Sequence, residues 1–169
     1  KAGVQKIVMK DLKYTEMEIV KKIRADEITW AHGEPTFFFT VKGTDLFGKE
    51  HQYQQMAKFT KEYVTAHTDG QGMVEVSVRL TKIPMGNAYQ VTEQEVLRYG
   101  LVQATGTENV TIEKLQEPGE GKRPSEIFRV TANLEKKPSG TRIVFENEKY
   151  RWDDYSHNDA VENVIPLKP

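Results

Sequence analysis

The 169-residue chain has no cysteine. That excludes a disulfide framework, a zinc–thiolate site, a redox dithiol and a cysteine nucleophile. No run of apolar residues approaches the 18 or so that a membrane-spanning helix needs, and Lys1 is not followed by the apolar core of a signal peptide. Neither sign of charge dominates. The 24 Lys+Arg and 25 Asp+Glu leave a formal net charge of −1, which excludes a wholesale basic footprint for nucleic acid and an acidic tail. The reaction-defining motifs are missing as well: no G-x-S-x-G, no S-x-x-K, no H-E-x-x-H, no phosphate-cradling glycine loop and no internal repeat.

What is present suits a globule with a polar surface. The length fits one domain over 1–169, and a domain of this size buries roughly 70% of its unfolded surface, so it needs no covalent staple to fold. The chain starts at Lys1 rather than Met, which reads as a trimmed precursor and favours an extracytoplasmic or envelope-associated setting. Residues 1–25 are basic on balance and 153–169 acidic, a pattern of two solvated ends.

Period-two alternation marks the strands. Val74, Val76, Val78 and Leu80 share one parity in 73–83, with Glu75, Ser77 and Arg79 on the other. Phe37, Phe39 and Val41 alternate with Thr36, Phe38 and Thr40, and after a glycine-flanked turn 50–54 returns, so 36–54 predicts a hairpin. Phe128, Val130, Ala132 and Leu134 alternate likewise. Ile143 and Phe145 are odd-numbered but Tyr150 and Trp152 even, which predicts a bulge or turn near 146–148 or else an exposed aromatic pair. Three- and four-residue spacing predicts helices: 10–26 from Leu12, Ile19, Val20 and Ile23; 55–67 from Met56, Phe59 and Tyr63; and 93–99 from a capping box, Thr92 to Glu95. Hairpins plus two or three short helices on one face give an α+β class with an antiparallel sheet, as in a nuclear-transport-factor-like roll or a cystatin-like sheet.

Candidate sites are few. Trp30, Phe38, Tyr150 and Trp152 are aromatics near the hairpins, and turned outward they would make a binding patch for a protein partner. Asp153, Asp154, His157 and Asp159 are a weaker metal-ligating group, lacking the spacing of a calcium loop. His51 and His32 are the only bases worth placing in a cavity. Lys21, Lys22, Arg24, Lys122, Arg123, Lys136 and Lys137 could touch phosphates, with net neutrality against it. Asn109-Val110-Thr111 is a glycosylation sequon inside an apparent strand. No catalytic set and no cofactor are expected. The leading functional expectation is a non-enzymatic protein-interaction or assembly module, the soluble domain of an envelope-anchored or particle-associated protein. The alternatives are a small-molecule-binding or enzymatic roll with a His-lined cavity, and a single-strand nucleic-acid binder.

Overall fold

A computed structural model describes residue 3 and residues 11–116, 127–136 and 139–150. Nine strands and one α-helix follow in order: β1 (Tyr14–Arg24), β2 (Thr36–Thr44), β3 (Glu50–Lys58), α1 (Lys61–His67), β4 (Met73–Pro84), β5 (Ala88–Glu93), β6 (Tyr99–Gly106), β7 (Val110–Gln116), β8 (Ile127–Ala132) and β9 (Thr141–Lys149). They form a four-stranded sheet, β4-β1-β9-β6, and a five-stranded sheet, β3-β2-β5-β8-β7. Phe37, Phe39, Val41, Tyr89 and Val91 of one sheet and Met17, Ile19, Ile143 and Phe145 of the other bury into a common core. The Phe39 and Phe145 rings meet across it at 5.3 Å between centroids.

This is a two-sheet β-sandwich, and it overturns the α+β roll. The layer expected to be helical is the second sheet. The predicted 10–26 helix is mostly β1. Met17, Ile19 and Ile23 face the core, and Val20 on the other face is buried too, so apolar residues fall at helical and strand spacings at once. β-branched density and pairing with β4 on one side and β9 on the other decide for strand. Of the 55–67 helix only Lys61–His67 is helical; its Thr60 cap accepts the Tyr63 amide at 3.1 Å. The 93–99 helix is absent: Glu93 ends β5, and a short turn leads to β6.

The expected hairpin (β2–β3) and the 73–83 strand (β4) are present. In β4, Val74 and Leu80 are buried and Glu75, Ser77 and Arg79 exposed, as their parity requires. The parity change near the end of β9 falls at Glu148–Lys149, where the strand stops. Tyr150 then turns inward with its amide on the Arg98 carbonyl. The named strands pair antiparallel with one exception: β1 and β9 run parallel, Lys21 opposite Phe145 and Ile23 opposite Asn147. No helix among the described residues is long and apolar enough to cross a membrane.

Candidate functional site: a lysine, a glutamate and an asparagine inside the sandwich

Three strands carry an alternating inward face that is mostly apolar and turns charged or amide-bearing at one place. In β1 the inward series runs Met17, Ile19, Lys21, Ile23; in β5 it runs Tyr89, Val91, Glu93; in β9 it runs Ile143, Phe145, Asn147. The pleat that buries the neighbours of each polar residue buries that residue with them. Lys21 is fully buried and Asn147 is 2% exposed. The Glu93 side chain is 3% exposed.

The three side chains meet between the sheets. The Lys21 ammonium has three protons and three acceptors: Glu93 Oε2 at 2.8 Å, the Phe145 carbonyl at 3.3 Å, and Asn147 Oδ1. Asn147 Nδ2 donates to Glu93 Oε1 at 2.6 Å. One carboxylate thus holds both nitrogens, one on each oxygen. The carboxamide has a single satisfying orientation, with its oxygen toward a group that only donates and its nitrogen toward one that only accepts. The Phe37 ring lies 4.5 Å from Nζ and completes the apolar wall.

Burial strips the ammonium of its water and lowers the Lys21 pKa to about 8, against the attraction of Glu93, which raises it. Chemically, the cluster holds an amine that is neutral in part near physiological pH, an amide carbonyl against it, and a carboxyl group able to give and take a proton, all shielded from water. A buried ion pair is an inefficient way to stabilise a fold, since well-packed apolar residues do as well or better. Stability alone therefore does not account for these residue types here.

The residues singled out from sequence lie elsewhere and do not converge. Phe38 points outward from the five-stranded sheet, 46% exposed, opposite Met56 on β3. Trp30 packs partly buried against the core, with Lys61 Nζ 5.8 Å from its ring. Tyr150 is buried. Trp152, Asp153, Asp154, His157 and Asp159 lie outside the described residues, and among the described ones no group of His, Cys, Asp or Glu is placed to hold a metal ion. His32 is exposed in a turn. His51 pairs with Asp45 at 2.8 Å, but that carboxylate also takes the Phe47 and Lys49 amides at 2.8 and 3.0 Å. The His51 bond first, and these amides with it, hold the Asp45 carboxyl below its usual range. The pair locks the β2–β3 turn. Lys21, counted from sequence among possible phosphate contacts, is out of reach of any phosphate. Asn109 of the sequon is buried, its amide nitrogen donating to the Asn133 carbonyl and Thr141 Oγ1, both at 2.9 Å.

The sequence does carry a signal for the buried cluster. A Lys, a Glu and an Asn each occupy the next inward position of an apolar alternation. Reading 10–26 and 93–99 as helices hid two of the three. Compared with protein-family models, curated proteins and solved structures, the chain matches none.

Proposed function

We propose that this domain is a non-enzymatic structural module that bears load between its two ends within a larger protein assembly. The observation that carries this reading is the parallel pairing of β1 with β9, bridged from inside by Lys21, Glu93 and Asn147. Because the two strands run the same way, the chain enters β1 at Tyr14 and leaves β9 at Lys149 at opposite ends of the pair. Tension along the chain then shears the whole ladder at once instead of peeling bonds singly. An arrangement of this kind suits units strung end to end, and needs neither substrate nor cofactor.

The test is single-molecule pulling in two directions. The chain has no cysteine, so introduced ones make unique handles. Handles at the exposed positions Tyr14 and Lys149 load β1 against β9 in shear; handles at Tyr14 and Lys82 peel β1 from its antiparallel neighbour β4. Both are measured in a Lys21→Arg background, so that only the geometry differs. A clearly higher unfolding force in the first direction is expected. Equal forces would overturn the load-bearing reading.

A further inference from the structure

We propose that the Lys21 amine and the Asn147 side-chain amide condense into an intramolecular isopeptide bond, with Glu93 as the acid–base group. The product would weld β1 to β9 in the middle of the core. This goes beyond the load-bearing reading and does not depend on it.

The geometry supplies what the reaction needs. Lys21 Nζ donates to Asn147 Oδ1, and Glu93 holds the nitrogens of both side chains, so the amine and the carboxamide are neighbours in a closed site. Holding reactants side by side replaces a bimolecular encounter with an intramolecular step. Glu93 touches both nitrogens whose proton count must change: Oε2 holds the one that loses protons, Oε1 the one that gains one. A permanent ion pair would require only the first of these contacts.

The steps balance without any other reagent. Lys21 passes a proton to Glu93, leaving a neutral amine beside a neutral carboxylic acid, a transfer that the burial of the ammonium assists. The lowered pKa of Lys21 points the same way. The amine lone pair adds to Cγ of Asn147, forming one C–N bond. Glu93 protonates the Nδ2 nitrogen and removes the surplus proton from Nζ. The Cγ–Nδ2 bond breaks and one ammonia leaves. One amide has replaced another and nothing is oxidised or reduced; the ammonia takes the last proton from Glu93 and departs as ammonium, which returns Glu93 to its carboxylate. Loss of ammonia makes closure one-way. The same burial that excludes water keeps the new bond from hydrolysis.

The inference can be checked on the full-length chain by intact mass under denaturing conditions. The expected mass is that of the sequence less one ammonia. A tryptic digest should yield a branched peptide joining the Lys21 and Asn147 segments, with no cleavage after Lys21. Lys21→Arg and Asn147→Ala should restore the full mass, and Glu93→Gln should slow closure about a hundredfold or more, the usual contribution of a positioned acid–base group. A folded wild-type chain that keeps the full sequence mass on prolonged incubation overturns the proposal, whether or not the variants fold. So does an ammonia loss that persists in Lys21→Arg, since it would come from another asparagine. Closure in Glu93→Gln at the wild-type rate overturns the role given to Glu93. A full mass with the shear resistance intact removes the bond and leaves the load-bearing reading standing; equal pulling forces with the ammonia lost do the opposite.

Discussion

An amine, a carboxylate and a carboxamide buried beside the Phe37 ring are held by opposing effects: removal from water penalises the ions, while their mutual contacts restore them. Lys21 and Glu93 share a hydrogen bond across this balance. The form able to close has passed the Lys21 proton to Glu93, leaving the amine neutral. Above a pH of about 8 Lys21 has already lost that proton to solvent, so none is passed on to the departing nitrogen. Closure should accordingly slow as pH rises past 8, followed by mass in chains that have never folded, recovered in denaturant from inclusion bodies, diluted into buffer and quenched at intervals; a rate that climbs through 8 to 10 would contradict the shared-proton scheme. Removing one ion strands the other. In an Asn147→Ala background, where no bond can form, Lys21→Met should destabilise by about 3–5 kcal/mol. Adding Glu93→Leu should recover most of that in urea titrations, because the stranded carboxylate goes with it.

Single strands show how close packing and pleat parity set tolerance. Gly43 of β2 lies under the Tyr89 ring, where an added Cβ would sit 2.5 Å from Cδ1 and 2.9 Å from the Ala88 carbonyl. Gly43→Ala should thus cost about 1–3 kcal/mol through overpacking, read as a lower thermal midpoint. Tyr89 is fixed from its other end by its hydroxyl on the Pro84 carbonyl at 2.6 Å, and burial pushes its pKa up to about 12. In β4, Val74→Asp would place a carboxylate on the buried face and lower stability by about 2–5 kcal/mol, whereas exposed Arg79→Glu should stay within about 0.5 kcal/mol in the same melts. Half-buried Val76 should give an intermediate loss on Val76→Asp. β2, β4 and β8 were legible in the sequence because each has one wet and one drier face, whereas β3 was legible only over 50–54: its half-buried pattern is weak, and 55–58 fell inside the span read as helix. β1 was not, because Val20 and Ile19 are buried on opposite faces and the alternation blurs into helical spacing.

Across the whole molecule, the central pairing of the four-stranded sheet joins the first described strand to the last, β1 to β9. Such a pairing is slow to form, since the long intervening loop must be closed before any contact rewards it. A bond between Lys21 and Asn147 removes that barrier once formed. By the chain-entropy relation for cross-linking a loop of this size it stabilises by about 5 kcal/mol. Wild-type protein refolded after denaturation should regain its structure faster than Lys21→Arg and melt well above it, both followed by circular dichroism; identical traces would deny any such link. The bond would also shorten the load path, from β1 through Lys21 and Asn147 into β9, leaving 22–146 out of the line of tension. The amino-acid order by itself determined the dry and wet faces of the regular strands, the β2–β3 hairpin and the absence of thiol chemistry, because these depend on neighbours one or two residues apart. Only the tertiary structure decided that a second sheet covers the first and that three isolated polar residues share one site. Lys21, Glu93 and Asn147 are far apart in the chain, and no local spacing records that parallel pairing and sheet stacking bring their inward positions to the same point.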